Sequence, residues 1–199
     1  MPELPQTEKL AILFADICGS TAMYDEFGDT AARYMILKCI DLMIAEIAPC
    51  QGTLVKTLGD GIMCTFPDAT LAMRAACRMQ SAVERGEPGG SHPMYIHIGF
   101  HYGEVLREGA DVYGNTVNIA ARVADRTRAR EILTTREAVD MLPSELRARV
   151  CEIYRAEIKG KQREFDIFRV IWEAEETEEV GEIEVVRVGS AENRRDGDE

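Results

Sequence analysis

Two aspartates stand where chemistry is easiest to build. Asp16 ends an apolar run and leads into Ile17-Cys18-Gly19-Ser20-Thr21, and Asp60 lies between Gly59 and Gly61. Each closes a strand-like stretch beside small residues, so its carboxylate can reach a cation with no bulky neighbour in the way. Two such carboxylates from adjacent strands can share a pair of hard divalent cations. Further along, Asn118 and Arg122 are one helical turn apart and face the same side. Carboxylates for metal, with an amide and a guanidinium nearby, point to phosphoryl-transfer chemistry on a nucleotide.

Hydrophobic spacing sets out the strands and helices that carry these residues. Leu10 to Ala15 reads as a buried strand stopping at Asp16. Ile17 to Thr21 is a tight turn, with Ser20 or Thr21 available to cap the next helix. Tyr34, Leu37, Ile40, Ile44 and Ile47 give helical spacing across 29–47, which Pro49 and Gly52 end. Residues 53–58 and 62–66 are strands around a Gly-Asp-Gly turn. A second helix covers 68–84, with Asp68 as N-cap. Met94 to His101 alternates, with Ile96, Ile98 and Phe100 on one face and Tyr95, His97 and His101 on the other. Both histidines read as ordinary strand residues. A further strand starts at Gly103, with a short hairpin turn at Glu108-Gly109. A third helix spans 115–125. Strands at 132–134, 150–158 and 165–172 come after it, with a helix near 136–142.

The order strand, helix, strand, strand, helix, strand predicts an α+β fold with a ferredoxin-like βαββαβ core and extra C-terminal strands. Helices are expected on one face of a mostly antiparallel sheet. The other face then needs cover, and a partner subunit is the natural one.

Composition limits the partners. The chain of 199 residues carries a net charge of −12. Glu173 to Glu199 holds eleven acidic and three basic residues, hence −8, leaving about −4 for the rest. With no basic surplus, a nucleic-acid polymer is not the partner. The segment 173–199 reads as an acidic, mobile tail, in which 180–188 is a candidate short strand. The six cysteines form no C-x-x-C pair and fit a reduced protein in which they act as small core hydrophobes. No apolar run is long enough for a bilayer span, and the N-terminus has no secretory pattern, so a cytoplasmic domain is expected. An upstream sensor or membrane domain in a longer parent chain stays open, with residues 1–8 as the stump of a linker.

From Lys9 to Val170 the chain resembles the catalytic domain of class III nucleotidyl cyclases, the adenylyl and guanylyl cyclases. The matching motifs are Phe14-Ala15-Asp16-Ile17, Lys56-Thr57-Leu58-Gly59-Asp60, Asp111-Val112-Tyr113-Gly114-Asn115-Thr116-Val117-Asn118, Ala121-Arg122 and Ile158-Lys159-Gly160. Each is weak alone, but all five occur in order at compatible spacing. The resemblance implies a catalytic domain over 9–172 and a head-to-tail homodimer with active sites between protomers. It implies Asp16, Ile17 and Asp60 as ligands of two Mg²⁺ or Mn²⁺ ions, and residues 17–21 (Ile17, Cys18, Gly19, Ser20, Thr21) as the triphosphate-contacting loop. Asn118 would hold the ribose, Arg122 would stabilise charge on the α-phosphate, and Lys159, with Lys161 close by, would grip the terminal phosphates.

Lys56 and Asp111 match the purine-reading positions. A lysine donates to adenine N1, and a carboxylate accepts from the adenine N6 amine, so the pair points to ATP. In the family, the metal aspartates come from one protomer and the purine-reading and transition-state residues from the other. Two features depart from the pattern. Glu104 follows Gly103 where some members carry an arginine, and the hairpin over 105–113 is short. Three alternatives stay open: a guanylyl cyclase, which Glu at position 56 would favour; a silent cyclase-like module, which loss of a catalytic residue would favour; and a palm-type domain, whose Gly-Gly-Asp/Glu-Glu-Phe hairpin Gly59-Asp60-Gly61-Ile62 does not supply.

Overall fold

A computed structural model describes residues 6–157 and 164–173. Lys159, Lys161, the first five residues and the candidate strand at 180–188 lie outside the described residues.

The centre of the molecule is β1 (Gln6–Ile17). Its residues from Leu10 to Ala15 are buried on both faces, as expected of a strand with neighbours on each side and helices above and below. On one edge it pairs antiparallel with β3 (Gly61–Phe66), which pairs with β2 (Thr53–Leu58). On the other it pairs antiparallel with β4 (Ile96–Glu108), from Gln6 opposite Arg107 to Ile17 opposite Ile96. The order β2-β3-β1-β4 is that of the ferredoxin-like core. The sheet then continues through β6 (Ile132–Thr135), β8 (Glu164–Val170) and β7 (Val150–Glu157), and the short β5 (Asp111–Tyr113) folds back on β4. Among the described residues, only β4 and β6 run parallel.

The helices α1 (Ser20–Ala45) and α2 (Ala69–Gly86) cover one face. They bury Ala11, Leu13, Ala15 and Ile17 of β1 against Met43, Met73 and Met79. Asp68 accepts a hydrogen bond from Leu71 N–H at 2.8 Å and caps α2 as expected. Before α1, by contrast, neither Ser20 nor Thr21 caps: the N-cap is Gly19 at φ +71. The helix breaks at Gly28, whose φ of +76 lies in the left-handed region that favours glycine. The regular helix expected from Asp29 is therefore the second of two segments.

Two expectations need correction. Helices do not occupy a single face. The third helix, α3 (Asn115–Ala124), lies on the opposite side, where Ala120 and Ala124 bury Leu10, Ile12 and Phe14, and where Ile119 and Val123 meet Leu133 and Ile167. The alternate residues of β1 are as apolar as the first set, and a helix of this chain supplies their cover. The second correction concerns β4, which runs unbroken through Gly103. A Cβ there would fall 2.7 Å from Thr116 Oγ1, which itself donates to the Glu104 carbonyl at 2.6 Å. That glycine marks the close approach of α3 rather than a break between strands. Two single-turn helices, α4 (Arg136–Val139) and α5 (Ser144–Arg147), connect β6 to β7.

Candidate active site

Antiparallel pairing brings the two aspartates to one end of the sheet. Asp16 lies opposite Gly61 on β3, and Asp60 is the residue before it. A Cβ at Gly61 would sit 1.8 Å from Asp16 Oδ1, so the carboxylate fills the space that only glycine leaves. Gly59 enters the turn at φ +66. Ser20 Oγ donates to Asp60 Oδ2 at 2.5 Å and ties the start of α1 to the β2–β3 turn. Burial raises the pKa of the Asp16 carboxyl above its ordinary value; the nearby His97 opposes this, and the charges of Asp60 and Asp125 add to it.

The loop after Asp16 partly fits a phosphate cradle. The Cys18 N–H donates to the Tyr95 carbonyl at 2.8 Å and is occupied. The N–H groups of Gly19, Ser20 and Thr21, at the start of α1, have no main-chain partner among the described residues. These three can face an anion.

Lys56 and Asp111, far apart in sequence, meet at 2.6 Å. A β-bulge between Leu54 and Lys56 shifts the register of β2 just before the lysine. Asp111 also accepts from Val112 N–H at 2.9 Å and from the Tyr113 hydroxyl at 3.3 Å. The Lys56 hydrogen bond, above all, holds the Asp111 carboxyl below its ordinary value. Asn118 is exposed and Arg122 half-buried on α3. The Arg122 guanidinium has no ion-pair partner among the described residues, while its carbonyl accepts from Arg126 at 3.1 Å. Among the described residues, no hydrogen bond or ion pair joins the carboxylate end, the Lys56–Asp111 pair and the α3 pair to one another.

His97 is nearer this chemistry than an ordinary strand residue need be. Its Nε2 is 4.0 Å from Asp16 Oδ2, and its Nδ1 is 3.4 Å from Cys18 Sγ. No sequence signal marks it, because its place depends on the β1–β4 register, which sets Asp16 opposite His97. His101 is buried against Thr135 at 2.7 Å, with its pKa lowered to about 4 by burial, and fits a core role.

The donor set suits hard divalent cations. It supplies two half-buried carboxylates, neither paired with a lysine or arginine among the described residues, and a main-chain carbonyl at Ile17. No cluster of three or more His, Cys, Asp or Glu side chains that could hold a metal occurs among the described residues. Mg²⁺ can be held by one or two carboxylates, with substrate phosphates and water completing its shell.

Carboxylates at a strand end, unpaired N–H groups at a helix start and a guanidinium with no ion-pair partner among the described residues sit on a ferredoxin-like core. The chain matches the adenylate and guanylate cyclase catalytic domain family over residues 3–171, and it belongs to that family. An adenylate cyclase of Anabaena cylindrica is 28% identical over 187 residues, covering 82% of this chain and 37% of the relative. One of Streptomyces coelicolor is 29% identical over 145 residues, covering 65% of this chain and 36% of the relative. The chain thus spans little more than a third of these relatives. Among solved structures, an adenylate/guanylate cyclase/hydrolase from Silicibacter pomeroyi superposes with a TM-score of 0.74 at 23% identity, covering 84% of this chain and 98% of that one. The guanylate cyclase domain of a Catenaria anguillulae protein in complex with GTP gives 0.73 at 19% identity, covering 83% and 97%. These similarities show the fold and span both purine specificities.

Proposed function

We propose that this domain is an adenylyl cyclase that converts ATP to cyclic AMP and pyrophosphate, at sites completed by a second copy of the chain. The observation that carries the choice of ATP is the Lys56–Asp111 pair. It presents a donor beside an acceptor, which complements adenine N1 and the N6 amine; guanine offers the reverse at both positions. The reaction forms a bond from the ribose 3′-oxygen to the α-phosphorus and breaks the bridging bond to the β-phosphate, with loss of the 3′-hydroxyl proton. Asp16, Asp60 and the Ile17 carbonyl would hold two Mg²⁺ or Mn²⁺ ions. When bound, these supply neutralisation of the triphosphate and a lowered pKa for the 3′-hydroxyl.

The chain's own groups do the positioning. The N–H groups of residues 19–21 receive phosphate oxygens, Asn118 orients the ribose, and Arg122 meets charge developing on the α-phosphate. Lys159 is assigned to the terminal phosphates. The resemblance to the cyclase family supports a head-to-tail homodimer in which one copy supplies the aspartates and the other the purine-reading and α3 residues. Leu106 and Tyr113, cross-strand partners in the β4–β5 hairpin, are 42% and 47% exposed and offer apolar contact area for it.

Product analysis by chromatography, with ATP or GTP and Mg²⁺ or Mn²⁺, tests the reading. Cyclic AMP is expected, with Asp60→Ala reducing its formation on the order of 10³-fold, the scale of lost transition-state electrostatics. Cyclic GMP alone would overturn the purine reading and leave the chemistry standing. No cyclic product from dimeric protein would assign the chain to a silent module or to one that needs a separate activator.

A further inference from the structure

We propose that an arginine-lined groove along α2, remote in sequence and lining from the candidate active site, receives the acidic segment of this same chain that follows Glu173. Two cavities of about 340 and 270 Å³ share Cys77, Arg78 and Arg149. The first extends to Arg74, the second to Arg85 and Trp172. Spacings of four and seven residues place Arg74, Arg78 and Arg85 on one face of α2. At a rise of ~1.5 Å per residue the stripe is about 16 Å long.

Arg149 faces them from just before β7, and its Nε is buried with no hydrogen-bond partner among the described residues. A buried donor on a cation that stays unpaired is costly, and such groups are rare in native proteins. Arg74 and Arg85 are exposed and make no ion pair among the described residues, whereas Arg78 holds Glu46 at 2.5 Å. Glu46, which also lines the second cavity, thus answers one of the four arginines, and a cationic surplus remains on a chain whose net charge is −12.

The length of the stripe suits an extended acidic peptide better than a single phosphate-sized ion. Glu173 to Glu184 contains seven acidic residues and no basic one. The segment also leaves the fold at the right place. Trp172 lines the groove, and Glu173 is fixed by Arg130 at 2.5 Å. At ~3.3 Å per extended residue, five or six residues reach the length of the stripe. An exposed ion pair contributes at most about 1 kcal/mol, so affinity comes from several pairs together and from the tether, which sets an effective concentration in the millimolar range. The inference does not depend on which nucleotide the domain cyclises.

A photo-crosslinking residue placed at Val180 in the full chain tests it, in an equal mixture of isotopically light and heavy chains. Links within one chain to residues 71–85 or 146–149 are expected, falling about tenfold in Arg74→Glu/Arg85→Glu and in ~0.5 M salt, where surface charges are screened. Both arginines are exposed, so the variant is expected to fold; if it does not, the salt dependence of the wild-type chain decides. The emission of Trp172, the sole tryptophan, gives a second readout and is expected to shift with salt in the wild type only. Links elsewhere, or groove links indifferent to both charge and salt, would overturn the proposal. Groove links only between light and heavy chains would overturn it too, assigning the groove to a second copy.

Discussion

Asp16 shows what burying a carboxylate costs a folded chain. Burial raises its pKa, so between the ordinary carboxylate value and the raised one the folded chain binds more protons than the unfolded chain. Stability from this group is therefore present at low pH and lost as pH rises from the ordinary carboxylate range through the raised value. In chelator at pH 7, Asp16→Asn is expected to raise the melting temperature by about 2 °C, an advantage that vanishes near pH 4. With Mn²⁺ added, only the wild type should gain stability. A less stable Asn variant in chelator would show that the carboxylate is satisfied within the fold. The Lys56–Asp111 pair works differently. Its side chains are 40% and 31% exposed, so it contributes at most about 1 kcal/mol, and purine recognition is the better reason for it to be there.

At the scale of elements, α3 carries Asn118 and Arg122, and its seat on the sheet depends on Gly99. A Cβ there would fall 2.2 Å from the Ala124 nitrogen and 2.5 Å from its Cα, both main-chain atoms that cannot rotate away. Gly99→Ala should push the end of α3 off β4. The expected cost is about 1–3 kcal/mol, lowering the melting temperature by roughly 2–4 °C per kcal/mol, with a fall in turnover per folded molecule. Asp68→Ala supplies the contrast. It removes the α2 cap, so it should cost about 1 kcal/mol and leave turnover per folded molecule unchanged. Equal loss of turnover in the two variants would show that α3 does not position the reacting residues.

For the whole molecule, the question is which residues serve one site. Lys56 and Asp60 share the β2–β3 hairpin, yet on the proposed reading they serve different sites of the dimer. Asp16→Ala and Arg122→Ala chains should each be inactive alone. Mixed in equal amounts with free exchange, half the dimers carry both variants, each with one intact site, so activity should return to about a quarter of wild type. Heterodimers shown to form but yielding no activity would rule out sites shared between chains.

Local features were legible in the amino-acid order alone. The glycine-flanked Asp60 turn, the Asp68 cap, the amphipathic stretch of α3 and the one-turn spacing of Asn118 and Arg122 are readable because each depends on neighbours a few residues away. The order of the elements, together with the pairing preferences of strands, also carried the ferredoxin-like core. The remainder needed the folded chain. Gly61 opposite Asp16, His97 beside it, and Gly99 beneath Ala124 are consequences of strand register and helix placement. The face chosen by α3 belongs with them: its apolar stripe says that the helix must be covered, but not by which side of the sheet. Local spacing fixes how a segment folds and which of its faces is apolar. Register and layer depend on contacts between residues far apart in the chain, and no window of sequence contains them.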